Sequence, residues 1–192
     1  MFYDGGYIVI SVFKVEDVSS LENLDVSESE DLSYMFCNCY YLHNFEFLKN
    51  WDVSKCKNIE GMFLGCDFES INFLSSWNLN NANNLAHMFR KCKKLNNIEG
   101  CKTWNVKNVK NFASLFEECE SLNDVNALQI WDISNAKNIG KMFCGCIKLE
   151  HMNSLFKWKL ADNINKTNII LGCDRLINIP KNFQNTSGYQ IY

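Results

Sequence analysis

The sequence predicts a repeat solenoid of mixed α/β class, about six coils of 27 residues, on three observations. A phenylalanine recurs at Phe36, Phe63, Phe89, Phe116 and Phe143, in steps of 27, 26, 27 and 27. A cysteine follows three places after each of these, at Cys39, Cys66, Cys92, Cys119 and Cys146, and its column runs on to Cys173. A tryptophan stands twelve places before the phenylalanine position at Trp51, Trp77, Trp104 and Trp131, and Trp158 keeps the same distance from Ile170. Repeats of this length are units that bury their faces only against neighbours, so they stack into a continuous core. The single 26-residue step is a one-residue deletion between Cys66 and Trp77. The chain reads as one domain: an N-terminal cap at 1–20, repeats at 21–180 and a C-terminal cap at 181–192.

Each element follows from the unit. The opening MFYDGGYIVISVF suits a hairpin turning at Asp4-Gly5-Gly6, and its short apolar run and acidic Asp4 do not suit a secretion signal. In the fifth unit Ile139, Met142, Phe143 and Cys146 fall at i, i+3, i+4 and i+7, the spacing of one face of a short helix. Asn138 precedes that run, with Asp31, Asn58, Asn84, Asn111 and Asn165 in the other units, and Asn and Asp are favoured helix N-caps. Before the ladder cysteine stand Asn38, Gly65, Gly145 and Gly172, suited to a left-handed helix exit, although Lys91 and Glu118 break that pattern. Next comes Leu-x-x-apolar: Leu42/Phe45, Leu95/Ile98, Leu122/Val125, Leu149/Met152 and Leu176/Ile179. With the small or apolar position two later, this is the L-x-x-L-x-L beat of a leucine-rich repeat, which predicts a short parallel strand per coil. A second short strand is expected at WDVS, and the coils are expected to wind right-handed. The end units differ, as solenoid termini must: Leu24 replaces Trp in the first, and Lys166, Ile169 and Ile170 replace the usual Ile-x-x-Met-Phe in the sixth.

Composition narrows the function. A formal charge of -3 argues against a dedicated nucleic-acid binder, and no apolar run approaches the ~20 residues of a membrane-spanning helix. Charge is uneven: residues 1–39 hold eight acids against Lys14, whereas 90–110 hold Arg90 and six lysines against Glu99. Electrostatic docking to an acidic protein, or weak nucleic-acid contact, is one reading and solvated faces the other, and the second is favoured. The 27 asparagines are an unusual excess.

No catalytic, cofactor or metal set emerges. Cys144-x-Cys146 and Cys37-x-Cys39 each pair a column member with a chance neighbour, and no C-x2-C pair occurs. His43, His87 and His151 occupy unrelated positions in their units. The cysteine column reads as a small buried side chain repeated once per coil, with thiols reduced and a reducing, cytoplasmic setting favoured. The Trp and Met-Phe columns read as core. Outward positions on the expected strand, among them Asn44, Glu46, Asn72, Asn97, Glu99, Asp124, Asn126 and Asn153, are polar, so an interface there would be polar and modest in affinity.

The segments WDVSKCKNIEGMFLGC, WNVKNVKNFASLFEEC and WDISNAKNIGKMFCGC resemble the BspA-like leucine-rich-repeat family, over about residues 21 to 180. The resemblance implies a non-enzymatic solenoid used in adhesion or other protein binding, without cofactor. The expected function is a monomeric protein–protein interaction module; the alternative is a cell-surface adhesin or a fragment of one.

Overall fold

A computed structural model describes residues 2–4, 7–9 and 19–184, with side chains from Leu21 onward. Phe2–Asp4 and Tyr7–Val9 pair antiparallel, Asp4 opposite Tyr7, which places the expected hairpin. A one-turn helix at Ser19–Glu22 leads into the repeats. The expected N-terminal cap is described only at these pieces, and the C-terminal cap beyond Gln184 lies outside the described residues.

The coils are 24–50, 51–76, 77–103, 104–130, 131–157 and 158–184, and they stack in order. Parallel bridges join Asp31 to Asn58, Asn58 to Asn84, and so on through Asn111 and Asn138 to Asn165. The phenylalanine column forms a stack of near-parallel rings, with centroids 5.8 Å apart for Phe36–Phe63 and Phe63–Phe89, 5.6 Å for Phe89–Phe116 and 6.0 Å for Phe116–Phe143. Trp51, Trp77, Trp104, Trp131 and Trp158 each donate the indole N–H to a carbonyl 29 or 30 residues back, just over one winding of the chain: Leu21, Leu48, Leu74, Cys101 and Leu128. Buried indoles need such a partner, and here the partner is always the neighbouring turn. The column thiols do likewise, Cys66, Cys92, Cys119, Cys146 and Cys173 donating to the Phe carbonyl one coil back at 3.0–3.2 Å. Each of these cysteines is therefore a weak donor as well as a filler. Burial pushes Cys39 up to about 11 and Cys173 up to about 12, and raises Cys66, Cys119 and Cys146 strongly.

The interior of each coil differs from the strand-plus-helix expectation. The arc read as a helix is a ribbon of turns. In the second coil Ile59, Gly61, Phe63 and Gly65 donate N–H to Asn84, Ala86, Met88 and Arg90 of the third coil, while Met62, Leu64 and Cys66 donate to Ile59, Gly61 and Phe63 three residues back. The backbone enters the left-handed region every fourth residue, at Tyr34 and Asn38, Gly61 and Gly65, His87 and Lys91, Ser114 and Glu118, Lys141 and Gly145, then Asn168 and Gly172. The left-handed exit thus holds in every coil, Lys91 and Glu118 included. A four-residue turn repeat buries i, i+3, i+4 and i+7, a pattern that eight residues of sequence do not separate from the 3.6-residue helical period. A helix would also satisfy its own N–H groups and leave the next coil without partners.

Asn58, Asn84, Asn111, Asn138 and Asn165 do not cap helices. Each accepts the N–H two residues on in an Asx turn, as Asp31 does from Ser33. The expected WDVS strand is a second Asx turn, at Asp25, Asp52, Asn78, Asn105 and Asp132. A third falls at Asn44, Asn97 and Asp124, with Ser70 in the same role. Asn81, Asn108 and Asn135 donate amide N–H to carbonyls one coil back. The asparagine excess is therefore largely architectural: a short side chain that closes corners and ties turns together. Where L-x-x-L-x-L predicted a strand, the chain forms 3-10 helices at Glu46–Asn50, Asn72–Leu74, Glu99–Cys101, Asn126–Leu128 and Asn153–Lys157.

Candidate interaction surface

The 3-10 arc carries the outward residues picked out in the sequence, and all of them are exposed except half-buried Asn97. Its inter-coil ladder is broken. Ser70 bridges Asn97, and His151 bridges Asn178, but among the described residues Asn44 does not bridge Ser70, nor does Asn97 bridge Asp124. Between coils 2 and 3 the N–H groups of Asn96 and Asn97 reach Glu69 O and Ile71 N–H reaches Asn97 O. The equivalent bonds between coils 1 and 2 are absent among the described residues, which leaves the carbonyls of His43 and Ser70 without a backbone donor.

The deletion falls at the first of these breaks. The second coil lacks one residue after Cys66, and Phe68 takes the place that leucine holds elsewhere. This shortened arc lies hard against coil 3, so that a Cβ on Gly100 would fall 2.0 Å from Ile71 O and 2.6 Å from its carbonyl carbon. Against coil 1 it packs through its rings, Phe68 and Phe73 on Phe45, with no backbone hydrogen bond between the two arcs among the described residues. The result is a cleft of about 320 Å³ lined by His43, Asn44, Glu46, Asp67, Glu69 and Ser70 at its rim, over Phe45, Phe68 and Phe73. Those three rings lock together, with Phe45–Phe68 at 5.3 Å, Phe68–Phe73 at 5.7 Å and Phe45–Phe73 stacked at 5.6 Å. A second cleft of about 280 Å³ opens between coils 3 and 4, lined by Asn96, Asn97, Ile98, Glu99, Asp124 and Ala127.

Electrostatics distinguish the acids. Asp67 is paired with Lys94 at 2.7 Å, and that hydrogen bond raises the lysine above its ordinary value. Glu99 pairs with Lys102 at 3.1 Å, both exposed. Glu46 and Glu69 have no ion pair among the described residues. Elsewhere the uneven charge is balanced coil to coil: Glu28 pairs with Lys55, Glu30 with Lys57, Glu120 with Lys93 and Glu117 with Arg90.

The histidines occupy separate places. His43 is on the cleft rim, His151 bridges Asn178, and His87 projects from a left-handed position of the turn ribbon. Burial lowers the pKa of His87, with the positive charge of Arg90 acting in the same direction, and its Nδ1 is buried without a partner. Beside it Arg90 Nε stands 3.0 Å from Glu117 Oε2, close enough for an ion pair although its N–H is not aligned for a hydrogen bond. Nothing in unit position announced this cluster; only the ribbon brings it together. A third recess, of about 570 Å³, lies at the last coil over Phe156, Trp158, Ile179 and Pro180. No group of three or more His, Cys, Asp or Glu residues is placed to hold a metal ion among the described residues, and none of their helices is long and apolar enough to cross a membrane.

Residues 9–98 and 67–183 match the family described as Mycoplasma protein of unknown function, DUF285. The chain belongs to this family. Its BspA-like repeat is the one read from the sequence. No curated protein matches. Two solved structures are similar to the chain. A leucine-rich repeat protein from Eubacterium ventriosum ATCC 27560 has 18% identity and a TM-score of 0.45, the match covering 81% of this chain and 38% of that one. A leucine-rich repeat protein from Bacteroides ovatus ATCC 8483 has 15% identity and a TM-score of 0.26, covering 80% and 64%. The chain thus spans less than two thirds of either.

Proposed function

We propose that this member of the family is a monomeric, non-enzymatic protein–protein interaction module whose binding surface is the 3-10 arc. One observation carries the reading. Recurring polar side chains close turns on this arc as on the others, but the inter-coil ladder that runs unbroken from Asp31 to Asn165 is interrupted here, between coils 1 and 2 and between coils 3 and 4, and clefts rimmed by exposed polar residues open at both places. A rigid stack that presents regularly spaced side chains is the way solenoids bind extended partners. The interface is polar with an aromatic floor at one cleft, which suits moderate affinity, aromatic rings being common anchors of binding energy.

Capture from the native cell with mass spectrometry tests this when run with two surface variants. Asn72→Trp/Asn126→Trp blocks the arc, and Lys137→Trp places the same bulk on another arc. Partners kept by wild type and Lys137→Trp but lost by the double variant are the expected result. Partners indifferent to the double variant refute the assignment of the face. A parallel screen for hydrolase and transferase turnover is expected to stay silent, and turnover abolished by one surface substitution would defeat the non-enzymatic reading.

A further inference from the structure

The cleft between coils 1 and 2 has a chemistry of its own. Its rim offers acceptors: the carboxylates of Glu46 and Glu69, which make no ion pair among the described residues although Lys94, held by Asp67, lies within electrostatic reach of Glu69, and the carbonyls of His43 and Ser70, which lack a backbone donor there. Its floor is aromatic, three interlocked phenylalanines with Phe68 and Phe73 reaching the surface at 7% and 8% exposure. The carboxylates are too dispersed to hold a metal ion. A wide, planar, multi-donor cation fits instead. Guanidinium presents five N–H donors, tolerates partial desolvation better than ammonium, and lies favourably over an aromatic face.

The second cleft is also acidic but is built differently: Glu99, paired with Lys102, and Asp124, bonded to Asn126, stand at its rim, and its lining is aliphatic, with Ile98 and Ala127. It lies two coils along the stack. Parallel backbones sit ~4.8 Å apart, so the clefts are about 10 Å apart, and a peptide extended in the polyproline II form, with ~3.1 Å rise and three residues per turn, brings side chains three residues apart to one side at about that distance.

We propose that the 3-10 face binds an extended basic peptide, with an arginine guanidinium over the Phe68–Phe73 floor between Glu46 and Glu69 and a second basic side chain three residues away in the Glu99–Asp124 cleft. The proposal rests on the interaction reading and names its partner class.

Fluorescence anisotropy with labelled nonapeptides tests it. The probe carries arginines at every third position among Gly and Ser. Its comparators replace arginine by glutamine, or keep the composition with the arginines adjacent. Wild type is expected to bind the spaced-arginine peptide at least about tenfold more tightly than the glutamine peptide and about threefold more tightly than the clustered one. Glu46→Gln/Glu69→Gln should lose about tenfold. Glu28→Gln/Glu30→Gln makes the same charge change elsewhere and should stay within about twofold. Equal losses in the two double variants, equal binding of arginine and glutamine peptides, or no binding overturns the proposal. If it falls while captured partners still depend on Asn72 and Asn126, the interaction reading survives it; if capture is also indifferent, both fall.

Discussion

Gly100 is the sharpest test of how the coils fit. The same column holds Phe47, Phe73, Ala127 and Ser154, so side chains are tolerated there in other coils. At Gly100 a Cβ would lie 2.0 Å from Ile71 O and 2.9 Å from Asn72 Cα, both backbone, with no flexible side chain to give way. Ordinary contact needs ~3.5 Å or more, so Gly100→Ala must part the two arcs by about 1.5 Å. That separation loosens the bonds Asn96 N–H and Asn97 N–H to Glu69 O and Ile71 N–H to Asn97 O. Overpacking costs ~1–3 kcal/mol, and the lengthened hydrogen bonds together add about 1 kcal/mol, so a loss of roughly 2–4 kcal/mol is expected. For a chain of 192 residues this lowers Tm by about 5–15 °C. Thermal unfolding followed by near-UV circular dichroism measures it, and hydrogen exchange at Ile71 and Asn97 should accelerate locally. Ala127→Gly, one coil on, should cost only ~1 kcal/mol. A Gly100→Ala protein that melts within about 1 °C of wild type would refute the close approach of the two arcs.

Two further outcomes follow from the same frame. Burial holds the Cys39 and Cys56 thiols protonated up to about 11 and Cys173 up to about 12, whereas unfolded thiols ionise near ~8.5. The folded state therefore binds more protons above that pH, so this stability is complete below about 8.5 and is lost as pH rises towards 11–12. In reducing buffer Tm should fall steadily from pH 8.5 to 10.5, less steeply in Cys39→Ala/Cys173→Ala; a flat profile contradicts thiol burial. Arg90→Ala leaves the Glu117 carboxylate, 8% exposed, without its cation and should cost about 2–4 kcal/mol, discounted because Arg90 is itself about a third exposed. The Arg90→Ala/Glu117→Ala pair should cost less than the two single losses summed in urea unfolding, and strict additivity would show that the pair is not coupled.

The sequence by itself determined the stack. Three columns in register place Phe, Cys and Trp at one point of every coil, and a residue that recurs once per coil must meet its own copy in the next, so ring stacks and thiol and indole bonds follow from periodicity. It also marked the polar outward row and the deletion after Cys66. Tertiary structure alone decided the local conformation and the site. A run spaced i, i+3, i+4, i+7 serves a helix or a four-residue turn ribbon equally, and the choice falls to the ribbon because each coil must share half its N–H groups with its neighbour. The asparagines could cap a helix or close an Asx turn, both of which use the same side-chain oxygen, and only the following backbone separates them. The clefts depend on which neighbouring arcs complete their backbone bonds, as coils 2 and 3 do at Glu69 and Asn97 and coils 1 and 2 do not, and that is a balance of packing between coils that no single unit encodes.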